Sequence, residues 1–507
     1  MNSLTLTLKF SASNLMDKDT FSKSDPMCVV YELVPKAPSF GFRPEKNNFN
    51  TKELFRTSRI KNNLNPDWEQ VMTIKYRFEE EQWLFIQVLD VDEKHNASAS
   101  AQDFLGGLIT TLGRIVNGQE NGMFQAPLTD KNSQQISVNN KASMIHIKST
   151  VIPEISTSYT FECRFTLEST RLFKTDSPLI QVKNSVGQVV YETAKGNGKV
   201  STYAPFSLSG SHIAPKTTWH LTHNHAGDHI GDAELSEQQL ISLPPGSSVP
   251  VLKNGKQTGM LMFISISKTE KKEELKNNVI SYLNNGGSIS AMVAIDFTGS
   301  NGDPKMPHSL HYLSGNNQYR NGIASILPII DQYDSDGMYP VFGYGLAVNG
   351  VTTHCKVLSE EAKYSDGVIM AYENTLHSNG FELSGPTYFG PVIRETINRV
   401  KQIKNKTYTL LVIFTDGAIN DMDETIRAIV EASYLPMSII IVGVGNGDFG
   451  AMNRLDNDGR PPLKDNNGRE AKRDIVQFVA LRNCPDGKTL QAETLAELPR
   501  QIMEFGF

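Results

Sequence analysis

Cysteine is scarce in this 507-residue chain. Cys28, Cys163, Cys355 and Cys484 stand far apart and in no metal-ligand spacing, which excludes a disulfide framework and fits unpaired thiols in a reducing compartment. Long apolar runs are missing too. No segment approaches the ~18 uninterrupted apolar residues that would read as a bilayer span. Charge of one sign is not in excess: 49 Lys and Arg face 55 Asp and Glu, for a net charge of −6. So mild a balance argues neither for nucleic acid as a partner nor for a constitutively basic membrane face, and local patches must decide. The start, Met1-Asn2-Ser3-Leu4, has neither the basic beginning nor the apolar core of a secretory signal, and Asn2 stands where myristoylation needs glycine. Also lacking are a Gly-x4-Gly-Lys-Ser/Thr loop, a Gly-x-Ser-x-Gly elbow, a kinase catalytic loop and a Cys/His nucleophile pair. These absences leave no recognisable enzyme signature.

What is present is ordinary globular material, 39% hydrophobic and 21% charged, long enough for about three domains. Near the start, Leu4, Leu6, Leu8 and Phe10 alternate with polar residues, the period of a half-buried strand. Short strands follow at Cys28–Leu33, Val71–Tyr76 and Trp83–Leu89, with turn residues between them, as in a β-sandwich. Its loops are rich in carboxylates. Asp19 and Asp25 share one loop, Asp90 and Asp92 stand two apart and so face the same way, and Asp103 opens the next strand. Gathered at one tip, five carboxylates repel unless a cation sits among them. Ca²⁺ takes six to eight oxygens in flexible geometry and would leave positions for lipid head-group oxygens. The plainer alternative is a pair of solvated Asp-rich turns. Phe21 is a candidate for lipid contact, with Lys52, Arg56 and Arg59 as a basic stretch facing anionic head groups or as an ordinary strand face. Phe104 reads as core.

From about Ser143 the all-β pattern restarts, with strands expected at Met144–Ile147, Tyr159–Leu167, Leu179–Val182, Val189–Thr193 and Met260–Ile266. Here the acidic loops are eroded. The third-loop equivalent reads His223-Asn224-His225-Ala226-Gly227-Asp228, and imidazole nitrogen suits Ca²⁺ poorly. Weak or no calcium binding is expected. His220, His223, His225 and His229 with Asp228 and Asp232 leave zinc or copper as an alternative, but a calcium loop that has drifted is the simpler reading.

After the charged stretch Lys268–Lys276, apolar strands alternate with helical patterns, so a doubly wound parallel sheet is expected. Strands are placed at Ile289–Phe297, Val341–Ala347, Leu410–Phe414, Ser438–Gly443 and Ile475–Leu481. Helices are placed at Gln318–Tyr333, Asp366–Leu376, Pro391–Ile403, Asp423–Ser433 and Thr494–Phe505. The run Ile289–Ile295 ends in Asp296-Phe297-Thr298-Gly299-Ser300, at the strand end where open α/β sheets bind ligands. Thr387 and Asp416 follow downstream. Asp296, Thr298, Ser300, Thr387 and Asp416 are hard oxygen donors suited to Mg²⁺. Three are neutral hydroxyls, so the protein does not over-neutralise the ion, and a partner's carboxylate can be recruited to an open position. An Asp-x-Thr-x-Ser string alone would be a solvated turn.

These motifs resemble known families. Leu64-Asn65-Pro66-x-Trp68, Ser24-Asp25-Pro26, Asp90-x-Asp92 and Asp103-Phe104-Leu105-Gly106 look like a C2 domain. That resemblance implies calcium ligation by Asp19, Asp25, Asp90, Asp92 and Asp103. The Asp296, Thr387 and Asp416 segments look like the metal-ion-dependent adhesion site of von Willebrand factor A domains, with Thr298 in place of the first Ser, which implies Mg²⁺ or Mn²⁺. The whole resembles the copines, through DFTGSNGDP (296–304), SLHYLS (309–314), QYDSD (332–336), LPMSIIIVGVG (435–445) and DIVQFV (474–479). The architecture so implied is multidomain: two all-β C2 sandwiches at 1–135 and 141–268, a linker at 269–286, and an α/β doubly wound, Rossmann-like A domain at 287–507. The function so implied is non-enzymatic. A cytoplasmic protein would move to anionic membranes rich in phosphatidylserine-like lipid, plasma or endosomal, when calcium rises, and its A domain would recruit target proteins.

Overall fold

The computed structural model describes residues 3–19, 22–36, 43–44, 48–91, 102–120, 122–153, 155–168, 178–223, 228–272, 278–334, 336–417, 419–458 and 461–506. The chain divides into two units. One joins Met1–Ile152 to Leu275–Phe507, and the other is Pro153–Glu274.

The first unit opens with six strands: β1 (Ser3–Ser13), β2 (Pro26–Pro35), β3 (Phe49–Arg56), β4 (Asp67–Arg77), β5 (Trp83–Asp90) and β6 (Asp103–Thr111). One sheet runs β3-β2-β5-β6. In the other, β1 lies between β4 and the strand Met144–Ile152, which in turn pairs with Met123–Pro127. Alternation delivers the core. Leu6, Leu8, Phe10 and Ala12 of β1 are buried against Cys28 and Val30 of β2 and Ile86 and Val88 of β5.

Met144–Ile147 was expected to open the second sandwich. Instead Met144–Ile152 pairs antiparallel with β1 over the whole register from Thr5↔Ile152 to Ser13↔Met144, with Ile145 and Ile147 fully buried. A boundary at 141 therefore cuts through the first sandwich. Period-two pattern marks a strand but does not say which sheet receives it. The expected linker is shortened as well. The last strand of the second unit runs to Lys272, and Val279–Asn284 is a helix whose Val279, Ile280, Tyr282 and Leu283 are buried.

The rest of the first unit is an α/β fold. Its sheet orders the strands Lys356–Lys363, Met338–Tyr344, Ser288–Asp296, Thr407–Thr415, Met437–Gly443 and Val476–Ala480. All neighbouring pairs are parallel except the edge strand Lys356–Lys363. Thr407–Thr415 is buried at every position, as a strand covered on both faces must be. Helices Gln318–Ile330, Tyr364–Leu376, Gly390–Val400 and Met422–Ala432 lie close to their expected places. The expected Thr494–Phe505 helix is two, Gly487–Leu495 and Leu498–Phe505.

Sandwich and α/β fold share one core cluster. Tyr333 stacks on Phe78 with ring centroids 4.5 Å apart, and its hydroxyl lies 2.6 Å from that of Tyr76. Asn117 donates to the Gln332 carbonyl at 3.0 Å, Gln491 to Glu81 at 3.4 Å, and Lys488 meets Glu80 at 3.3 Å.

The second unit is all-β, with nine antiparallel strands joined in one sheet among the described residues. Phe161 and Trp219 belong to strands four places apart in that sheet, yet their rings sit 5.4 Å apart. With strands spaced by nearly 5 Å, the sheet must fold over on itself, and Phe161, Phe165, Trp219, Leu221, Leu261 and Phe263 fill the inside.

Candidate metal centres

The strands Ser288–Asp296 and Thr407–Thr415 lie side by side in parallel, with Ile295 opposite Phe414. Asp296 therefore ends its strand beside Thr415, and Asp416 follows at once. Asp296 is fully buried. Its Oδ1 accepts from the backbone N–H and hydroxyl of Thr298 at 2.8 and 2.6 Å, and its Oδ2 from the Thr415 hydroxyl at 3.1 Å. Thr298 Oγ1 lies 3.1 Å from Ser300 Oγ, which is exposed. A parallel bridge from Thr298 to Ser384 draws the third segment across. Thr387 is then pinned by Asn420: its N–H donates to Asn420 Oδ1, and its carbonyl accepts from the Asn420 N–H, both at 2.9 Å.

The electrostatics are those of two buried carboxylates close together. Burial first, and the Asp416 carboxylate second, push Asp296 up to about 7. Asp416 is itself buried, and its Oδ1 has no hydrogen-bond partner. A buried carboxylate oxygen left without a partner is costly. A hard divalent ion would satisfy it and reverse the repulsion. Ser300 and Asp416 line an open cleft of about 660 Å³ with His308, Asn446 and Asp448, so the donors face space that a ligand can enter.

Beneath the site lie residues that sequence reasoning did not assign. His311 is buried, and its burial holds the ring neutral, down to about 3. Its Nε2 lies 2.9 Å from the Asp296 carbonyl oxygen, which can only accept. The proton therefore sits on Nε2, and Nδ1 accepts from the Tyr372 hydroxyl at 2.8 Å. Asn301 accepts from Tyr319 and donates to the Thr298 carbonyl. The signals in the sequence were the phrases DFTGSNGDP and SLHYLS, which carry Asn301 and His311 without a role.

In the first sandwich, Pro26 pairs with Asp90 and Asp90 with Asp103. Asp25, Asp90 and Asp103 thus stand at the same end of β2, β5 and β6. The Asp25 N–H donates to Asp90 Oδ1 at 2.6 Å, and Asp25 Oδ1 accepts from the Asn62 N–H at 2.8 Å. Asp90 is buried and Asp103 exposed. Asp19, on the loop entering β2, accepts from the Ser22 hydroxyl at 2.8 Å. Asp17, unassigned from sequence, ties that loop back by accepting from the Ser24 N–H at 3.2 Å. Asp92 and Phe21 lie outside the described residues.

The basic stretch is partly engaged. Lys52 is exposed on β3. Arg56 holds Glu53 through two hydrogen bonds of 2.6 Å, which keeps that carboxyl below its usual range. Arg59 lies 3.6 Å from Asp25 Oδ2 and donates to the Val91 carbonyl. It borders the acidic edge as a partial counter-charge. Phe104 packs against Met27, Val29, Leu89 and Val91, where a core residue was expected.

A β-sandwich with an acidic edge, joined to an α/β fold with an oxygen-lined strand end, defines a class that known proteins share. The C2 domain family matches residues 3–126, and the Copine family matches 309–506. Protein BONZAI 1 of Arabidopsis thaliana is 34% identical over 99% of this chain and 90% of its own length. Copine-B of Dictyostelium discoideum is 31% identical over 98% of this chain and 95% of its own. The chain belongs to the copine family.

Proposed function

We propose that this protein binds anionic phospholipid in response to calcium, and that it does so through its first sandwich. Asp19, Asp25, Asp90, Asp92 and Asp103 would hold Ca²⁺, which supplies positive charge and open coordination positions for lipid phosphate and carboxylate oxygens. The observation that carries this reading is the register that sets Asp25, Asp90 and Asp103 at one edge of three adjacent strands. Without an ion, that edge repels an acidic membrane. Lys52 and Arg56 would add contacts of roughly 1 kcal/mol each near an anionic surface, with Phe21 as a further candidate for lipid contact.

The α/β fold is read as a von Willebrand A-type domain. Asp296, Thr298, Ser300, Thr387 and Asp416 would hold Mg²⁺ or Mn²⁺ there, and the cleft beside them would admit a carboxylate of a target protein. The second unit is read as a second C2 domain with lost calcium ligands. No enzymatic step is assigned. The thiols of Cys163 and Cys484 are pushed up to about 12 by burial, which disfavours a nucleophilic thiolate at either position. Among those residues no helix is long and apolar enough to cross a membrane, so attachment would be peripheral.

Pelleting with vesicles tests the assignment. Wild type should move to phosphatidylserine-containing vesicles only with calcium. The Asp19→Asn/Asp25→Asn protein should stay in the supernatant at the same calcium. Pelleting equal to wild type would remove these residues from the mechanism.

A further inference from the structure

In the second unit, the antiparallel strands Lys216–His223 and Asp228–Ser236 pair His220 with Asp232. His229 lies three residues before Asp232, and in a regular strand that odd spacing would put the two on opposite faces. A bulge intervenes: the register passes from Leu221↔Gly231 to Thr222↔His229. The extra residue turns His229 to the face that carries His220 and Asp232, which is the usual work of a bulge.

The result is a compact donor set. His220 Nδ1 lies 2.6 Å from Asp232 Oδ1, and His229 Nε2 lies 3.0 Å from Asp232 Oδ2. The two imidazoles stack with centroids 4.5 Å apart and planes 15° apart, so both present an edge to the same carboxylate. All three donor atoms fall within 4.8 Å of one another. Contact with His220 is a hydrogen bond. His229 Nε2, by contrast, is shielded from water and has no hydrogen-bond partner despite its closeness to Asp232. A ring nitrogen so placed, beside a carboxylate but not aligned to bond it, is unsatisfied as it stands.

From this geometry we infer a divalent transition-metal site, formed by His220, His229 and Asp232 and suited to Zn²⁺. Two imidazole nitrogens and one carboxylate oxygen are a zinc donor set, with the fourth position left to solvent. Calcium is disfavoured, because it takes oxygen. The side chains are 21%, 32% and 35% exposed, so an ion can enter without unfolding the strands. Tetrahedral zinc with bonds of about 2.0–2.1 Å needs the donors slightly farther apart than the 2.6 Å contact, a side-chain adjustment only. Zinc ligation requires neutral imidazole and ionised carboxylate, so binding weakens as pH falls. The eroded calcium loop would then be a site whose metal preference has changed.

The test uses the full chain. Cobalt(II) replaces zinc as a spectroscopic probe, and zinc is titrated against a chelator of known affinity. Wild type should give the intense visible absorption of tetrahedral cobalt, bleached by one equivalent of zinc. The His220→Gln/His229→Gln protein should bind one zinc fewer, or bind it at least about tenfold more weakly, while calcium-dependent vesicle pelleting stays at the wild-type level. A weak octahedral cobalt spectrum in wild type would overturn the site. So would unchanged zinc stoichiometry and affinity in the variant, which would place the ion elsewhere. If the double variant misfolds by circular dichroism, Asp232→Asn is titrated instead, with the same loss expected and the same retention overturning the proposal.

Discussion

At the residue scale, the oxygen-lined strand end was largely legible. Asp296 and Asp416 each end an apolar run, and the parallel pairing of those two strands sets them at one sheet edge. The supports were not legible. His311, Asn301, Asn420 and Thr415 act through contacts between segments far apart in sequence, and local pattern carries no trace of such pairings. One consequence can be measured. Burial first and Asp416 second raise Asp296, and Asp416 keeps an unsatisfied oxygen of its own, so it opposes folding unless an ion is bound. Asp416→Ala should melt at or above the wild-type temperature in chelator. Mn²⁺ should then stabilise wild type by several degrees and the variant not at all. At a hundredfold excess of ion over Kd, the wild-type gain would be about 2.7 kcal/mol. A variant stabilised by Mn²⁺ as much as wild type would rule out Asp416 as a ligand.

Among elements, the strongly patterned strands and helices came close to their observed limits, whereas polar edges and boundaries did not. Lys356–Lys363 is an edge strand of mostly charged and polar residues with no apolar run to announce it. Phe49–Arg56 is similar. Met144–Ile152 was legible as a strand, but its sheet was not. Its placement predicts how the first sandwich tolerates truncation. A chain ending at Asn140 lacks Ile145 and Ile147, each fully buried and worth about 1.5–3 kcal/mol. It also loses the whole ladder with β1, and against a typical net stability of 5–15 kcal/mol this is decisive. Residues 1–140 should show no cooperative melt and residues 1–152 should show one; equal melts would refute the assignment. A second element-scale test concerns the turn between β4 and β5. Burial is the main cause that pushes Glu81 up to about 7 from an ordinary value of 4.5. The folded chain therefore holds this proton more tightly than the unfolded chain does. The stability so gained is full below about pH 4.5 and is lost as pH rises through 7. Glu81→Gln should match wild type in melting temperature at pH 5 and exceed it at pH 8. A variant less stable at pH 8 would show that the charged form is favoured at the contact with Gln491.

For the whole molecule, the sandwich with the acidic edge and the fold with the oxygen-lined cleft belong to one unit, joined through Tyr76, Phe78 and Tyr333. That union could not be read from sequence, because its aromatic and acidic contacts look like ordinary core and turn residues until the two parts meet. On this account, calcium and acidic lipid bind to the same edge and must favour each other equally. Calcium titration calorimetry of the full chain, with and without phosphatidylserine vesicles, tests this directly. The vesicles should raise the apparent calcium affinity at least about tenfold, neutral vesicles should leave it unchanged, and Asp90→Asn should abolish the calcium heat in both. A calcium curve indifferent to acidic vesicles, or a wild-type heat from Asp90→Asn, would contradict the account.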